Sequence, residues 1–266
     1  MNKKIRIGCA SGFWGDTDIA APQIIEKGNV DYLVCDYLSE VTMSILSRAK
    51  LKSSEHGYAK DFINHVGPLL KTIKQNKIKV ISNAGGVNLD ACKKALSNKA
   101  KKENINLKII TVEGDDLSGI QKDLQKMSIK EIDSGKSLPE NLLSINAYLG
   151  APGIKRALDQ GADIVITGRC VDSALALGPL MYEFNWKENE YDLLASGSLA
   201  GHIIECGAQS TGGNFTDWEI IDNFEDIGFP IVEVEENGEF IVTKPEGTGG
   251  IVNFGTIAEQ LLYEIV

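Results

Sequence analysis

The sequence predicts an α/β fold: a mostly parallel sheet of about five strands with helices on both faces, then a β-hairpin and a last helix. Three observations predict it. Short apolar runs alternate with stretches whose apolar residues recur at helical spacing, which is the signature of a parallel sheet. The runs are nearly continuous in Val, Ile and Leu, as strands covered on both faces require. Late in the chain, two alternating runs flank Asn237-Gly238, a two-residue hairpin signal.

The elements follow in order. "IRIGCA" reads as the first strand, with Ile5 and Ile7 alternating about Arg6. "DIAAPQIIEKG" is a helix that ends at Gly28, and "DYLVCDY" is the second strand. "LSEVTMSILSRAK" is a second helix. A third spans "YAKDFINHVGPLLKTIKQN", where Phe62, Ile63, Val66, Leu69, Leu70 and Ile73 keep helical spacing. "IKVISNAGG" is a strand running into a glycine turn, and "LDACKKALSNKAKKEN" is the next helix. "LKIITVEGDD" and "ADIVITGR" are the fourth and fifth strands, and "VDSALALGPLMYEF" is the helix after them. The pattern changes after Trp186. "IVEVEENGEFIVTKP" reads as the hairpin and "GTIAEQLLYEIV" as the terminal helix. A single domain over 1–266 is expected, Rossmann-like and doubly wound over 1–186, with an added segment over 187–266.

A net charge of −10 disfavours nucleic acid or an anionic membrane surface, both of which need a basic face. No apolar run approaches the ~20 residues of a membrane span. The start, "MNKKIRIGCASG", lacks the apolar core of a signal peptide. Cys9, Cys35, Cys92, Cys170 and Cys206 are scattered with no C-x-x-C pair, which fits a reducing cytoplasm.

Ligands of open parallel sheets bind beyond the carboxyl ends of the strands. That rule collects Ser11, Gly12 and Asp16 after the first strand, and Asp36 with Glu40 after the second. It adds Ser82, Asn83, Gly85 and Gly86 after the third, and Glu113, Asp115 and Asp116 after the fourth. Thr167, Arg169 and Asp172 follow the fifth. In "VEGDD", crowded carboxylates suit Mg²⁺ or supply an acid and a base. The plainer reading caps the following helix with Asp115 or Asp116. Arg169 suits bidentate pairing with an anion, or a salt bridge to Asp172. His202 and Glu205, three apart in "GHIIECG", suit an acid/base pair, two metal ligands or a structural hydrogen bond.

Three Gly-Gly turns, "SNAGGVN", "STGGNFTDW" and "KPEGTGGIVNFGT", carry hydroxyl or amide neighbours. Successive N–H groups in such turns can cradle an anion. Gly85, Gly86, Thr211, Gly212, Gly213, Asn214, Thr248, Gly249 and Gly250 are therefore candidate binding residues, and the three stretches are also compatible with tight turns alone. "GCASGFWGDT" departs from the dinucleotide spacing: Gly8, Gly12 and Gly15 are set differently, and Phe13 and Trp14 occupy the loop.

The blocks "IGCASGFWGDT", "SNAGGVN", "VEGDDL", "NAYLGA", "GADIVITGRCVDSALALGPL", "SGSLAGHIIECGAQSTGGNFTDW" and "TKPEGTGGIV" occur in the order found in the acyclic terpene utilisation protein A (AtuA) family, which the whole chain resembles. The resemblance implies a cytosolic protein of citronellol and geraniol catabolism, where intermediates are coenzyme A thioesters and acyl-CoA carboxylases take part. It carries no reaction and no catalytic residues. Family members continue well past "LLYEI", so a truncated chain is expected. A homo-oligomer or association with a carboxylase is compatible with the apolar terminal helix. Three readings stay open: an enzyme or subunit acting on a branched acyl-CoA or carboxylate by acid/base chemistry, a non-catalytic scaffold of an acyl-CoA carboxylase, and a nucleotide-binding protein.

Overall fold

The computed structural model describes residues 3–265. Its elements are β1 (Lys4–Cys9), α1 (Ala20–Lys27), β2 (Tyr32–Cys35), α2 (Glu40–Lys52), α3 (Lys60–His65), α4 (Leu70–Asn76), β3 (Lys79–Ser82), α5 (Leu89–Lys102) and β4 (Ile109–Val112). There follow α6 (Gln121–Lys126), α7 (Ala151–Asp159), β5 (Ile164–Thr167), α8 (Ala174–Glu183), α9 (Tyr191–Glu205), β6 (Ile231–Glu235), β7 (Phe240–Thr243) and α10 (Phe254–Ile265). The long helix expected over 58–76 is two helices, α3 and α4. Gly67–Leu69 forms a tighter turn between them, where Pro68 lacks the N–H a continuous helix needs.

The sheet has seven strands in the order β4-β5-β3-β2-β1-β6-β7, so the expectation of about five, mostly parallel, is corrected. The five strands β1 to β5 are parallel, but β6 runs antiparallel to β1, with Ile7 opposite Val232. The hairpin is therefore part of the sheet and not an appendage. It covers what would otherwise be an open edge at β1, and Ile231, Val232 and Val234 are buried there. Its connection is also longer than foreseen. Glu235 pairs across to Glu239, and Gly238, at φ 86°, donates back to the Glu235 carbonyl, which makes a three-residue loop with glycine in the left-handed position.

Right-handed crossovers decide which face each helix covers. From β1 through β2 and β3 to β4 the chain steps across the sheet in one direction, so α1 to α5 lie on one face. The step from β4 back to β5 is opposite in sense and carries α7 to the other face, where α8, α9 and α10 join it. Strand residues alternate accordingly. Leu33 and Cys35 pack toward the first layer, and Tyr32 and Val34 toward the second. The connections leaving neighbouring β3 and β5 thus part to opposite faces, which makes their carboxyl ends the switch point where sheets of this kind form a ligand crevice.

Candidate functional site

Asn83, just past β3, and Arg169, just past β5, flank that crevice, and Asp36 joins them from the end of β2. Asp36 is 5% exposed. Its Oδ1 accepts hydrogen bonds from Asn83 Nδ2 at 2.6 Å and from Leu38 N at 3.2 Å. Asn83 Oδ1 in turn accepts from Tyr37 N at 2.8 Å. Burial, then the charge of Asp172, pushes the Asp36 carboxyl up to about 8; Asn83, Leu38 and Arg169 oppose that rise without reversing it. Asp36 is consequently a buried carboxyl group that carries its proton near neutral pH.

Arg169 is 4% exposed and its two terminal nitrogens are committed inside the chain. Nη1 donates to the carbonyls of Leu38 (3.0 Å) and Cys170 (3.3 Å) and to Asp172 Oδ1. Nη2 donates to Tyr148 Oη (3.0 Å) and Glu40 Oε1 (3.4 Å). The Tyr148 ring lies 4.1 Å from the guanidinium carbon, within cation–π range. Nε is buried and has no acceptor among the described residues. Arg169 therefore acts as a clamp joining the loop after β2, the start of α2 and the 146–149 strap. The salt bridge to Asp172 weighed from the sequence is part of that clamp.

The acidic run after β4 divides its labour. Asp115, 2% exposed, accepts at Oδ2 from Arg169 N (2.8 Å) and Asn146 Nδ2 (2.9 Å), which ties β4, β5 and the strap together. Burial raises its carboxyl above the usual range. Asp116 does not cap the following helix, whose N-terminal turn starts from Leu117 without a side-chain cap; its Oδ1 instead closes a local turn, accepting from Ser118 N at 2.9 Å and from the Ser118 hydroxyl. Glu113 is exposed and receives the Thr111 hydroxyl at 3.3 Å. Among the described residues no three His, Cys, Asp or Glu side chains gather as a metal-ligand set. The Asp115–Asp116 pair considered for Mg²⁺ is instead turned to protein donors.

The Gly-Gly turns do not present a cradle. All six N–H groups donate to backbone carbonyls: Gly85 to Thr167, Gly86 to Asn83, Gly212 to Gln209, Gly213 to Ala208, Gly249 to Asp226 and Gly250 to Asp222. The Thr211 hydroxyl donates to Ala208 O (3.0 Å) and that of Thr248 to Pro245 O (2.6 Å). Two of the turns do meet, since Ile251 N donates to Thr211 O at 2.8 Å. Asn214 is exposed beside them. Gly85-Gly86 stands apart at the end of β3, packed on Thr167, Leu46 and Gly57.

At the β1 end, Ser11 donates its hydroxyl to Phe13 O (3.0 Å), and its carbonyl accepts from Asp36 N (2.9 Å). Gly12 N donates to Asp16 Oδ2 at 3.0 Å, so a carboxylate takes the donor a dinucleotide's pyrophosphate would need. A side chain at Gly12 would strike the Cys206 backbone, because the end of α9 presses against this loop. That end carries His202 and Glu205 on one face, Nδ1 to Oε1 at 3.3 Å. Cys9 Sγ donates to the Glu205 carbonyl at 3.8 Å, so the pair reaches the same sheet edge as Asp36, above β1.

Asn146 and Tyr148 are the site residues the sequence reading does not single out. They lie in "NAYLGA", an irregular strap with neither helical nor strand periodicity to mark an orientation. The buried thiols around Asp36 are held neutral: burial pushes Cys35 and Cys170 up to about 12.

A search among curated proteins and a search among solved structures returned no match. The family model described as acyclic terpene utilisation family protein AtuA matches residues 5–266, which span every strand end that builds this site. The chain belongs to the AtuA family.

Proposed function

We propose that the chain is an enzyme, or an enzyme subunit, of acyclic terpene utilisation that handles a branched acyl-CoA or related carboxylate by acid/base chemistry. The observation that carries this reading is Asp36. It is a buried carboxyl beside the switch point of the sheet edge, with its proton held up to about 8. A group with a pKa near the working pH is suited to both giving and taking a proton. The rigid hydrogen bonds from Asn83 and Leu38 fix its Oδ1 and leave Oδ2 for a substrate. His202–Glu205 supplies a second acid/base pair above β1. Arg169 and Asp115 position the loops rather than grip the anion.

Incubation with geranyl-CoA and shorter branched acyl-CoAs in D₂O, read by mass spectrometry, tests the reading. Deuterium incorporation is expected, and Asp36→Asn should slow it on the order of 10²-fold or more. Calorimetric titration that gives no heat, with no thermal shift, for any of these thioesters would sink it.

One observation favours a non-catalytic scaffold instead. α10 leaves Phe254 90% exposed, with Leu262 and Tyr263 also largely open, an apolar surface of the kind that seats on another protein. Co-purification with acyl-CoA carboxylase subunits, lost in Phe254→Asp, would support that role.

A further inference from the structure

We propose that the cavity between α2 and the strap after β4 binds an aliphatic carboxylate. It rests on taking this sheet edge as the ligand-binding edge, but makes no use of Asp36. The cavity measures about 240 Å³. Lys50 and Leu51 of α2 form one wall, Asp116 after β4 with Leu143 and Asn146 at the strap form another, and Val87 closes the end.

The cavity's apolar wall is open to water. Leu51 is 74% exposed and Leu143 is 61% exposed. They come from separate elements and line the same space with Val87. A hydrocarbon chain laid there would remove both leucines from water, and burial of apolar area favours binding.

The polar part is charge. Lys50 is the one cation in the lining, and its Nζ spends one donor on the Val87 carbonyl, which leaves two. The acid in the lining, Asp116, directs Oδ1 to the N–H and hydroxyl of Ser118. A carboxylate at Lys50, with its chain running over the leucines, satisfies both halves.

Position supplies the third part. Val87 follows the Gly85-Gly86 turn of β3, the same turn that carries Asn83. Asn146 holds Asp115, which holds the Arg169 backbone. The cavity walls are thus fixed to the groups that build the crevice.

A titration of the ¹⁵N-labelled full chain with sodium hexanoate, hexan-1-ol and hexylamine tests this. Hexanoate should bind saturably and shift amides at 47–51, 87 and 143–146. The alcohol and the amine should bind about tenfold or more weakly, the loss of one charge-assisted contact. Lys50→Met, which keeps the stem, should abolish the preference for hexanoate over hexanol. Leu143→Ser, at an exposed position where folding is not at stake, should weaken hexanoate about tenfold. Asp36→Asn should bind hexanoate as the parent does. Lost turnover with intact hexanoate binding in that variant separates the proton-transfer reading from this one. The proposal is overturned by any of three results: no saturable binding, hexylamine binding as tightly as hexanoate, or unchanged affinity in Lys50→Met.

Discussion

Asn83 holds Asp36 with a 2.6 Å hydrogen bond from Nδ2, while its own Oδ1 accepts the Tyr37 N–H at 2.8 Å. One fully buried carboxamide therefore fixes both the proton-bearing side chain and the backbone beside it. Asn83→Ala leaves a buried N–H and a buried carboxyl without that partner. Unsatisfied buried groups cost about 1–3 kcal/mol each, so a loss of about 2–4 kcal/mol is expected. Urea unfolding measures it. Asn83→Asp should be no rescue, because it sets a second carboxylate against the first. A change below about 0.5 kcal/mol in Asn83→Ala would mean the pair is not held as described.

Asp36 also predicts a pH dependence. Its folded value of about 8 lies above the 3.8 of an unperturbed aspartate, so between these limits the folded chain holds more protons than the unfolded one. Stability then falls as pH rises through that window, and the loss is complete above it. Asp36→Asn keeps the hydrogen-bonding oxygen and removes the charge. Its melting temperature should match the parent near pH 4 and exceed it progressively toward pH 9. Parallel curves across this range would show that Asp36 titrates at an ordinary value.

These groups were legible to different degrees. Asp36, Asn83, Arg169 and Asp172 all emerge from the strand-end rule, because continuous Val and Ile runs mark where each buried strand stops. Their roles were not legible. Whether Arg169 grips a ligand or clamps loops depends on Tyr148 and Glu40, which only the folded chain brings to it. The same holds for the Gly-Gly turns, since sequence marks a turn but not the direction of its N–H groups. The pairing of β6 with β1 joins residues more than 220 apart, and the hairpin's alternation is the same whether its edge is free or covered. α7 is absent from the expected elements; it opens on Pro152-Gly153, and proline in the first helical turn gives up an N–H that has no partner anyway. α9 hides behind Gly197 and Gly201, where a side chain would strike Trp186 and the Ser173 backbone.

The strap has its own test. Tyr148 Oη donates to Glu40 and also receives Arg169 Nη2 at 3.0 Å, while the ring covers the guanidinium. The hydrogen bond from Tyr148 is the leading cause that lowers the Glu40 carboxyl. Tyr148→Phe keeps the ring and removes the hydroxyl. The Glu40 pKa should rise toward its ordinary value in an NMR titration, and amide exchange at 146–149 should quicken. Because Glu40 is mostly solvent-exposed, global stability should fall by less than about 1 kcal/mol. An unmoved Glu40 titration would mean that the contact is not formed in solution.

The strut at Asp115 can be tested without touching any titratable group. Gly168 sits so close that an added Cβ would collide with both carboxylate oxygens of Asp115. That carboxylate holds the Arg169 N–H at 2.8 Å, so Gly168→Ala must either move Asp115 or shift the loop after β5. Asp115 has little room to yield, being 2% exposed and tied to Asn146 as well. A destabilisation of about 1–3 kcal/mol is expected, the range for overpacking a filled interior. Gly119 is the control. A Cβ there meets nothing within 4 Å, so Gly119→Ala should leave the melting temperature unchanged or slightly raised by the loss of unfolded-state entropy. If both variants melt alike, Asp115 is not wedged against the β5 loop and the crevice is looser than its hydrogen bonds imply. If only Gly168→Ala falls, the Asp115 carboxylate is wedged between the β5 loop and the strap, as its hydrogen bonds from Arg169 N and Asn146 Nδ2 imply.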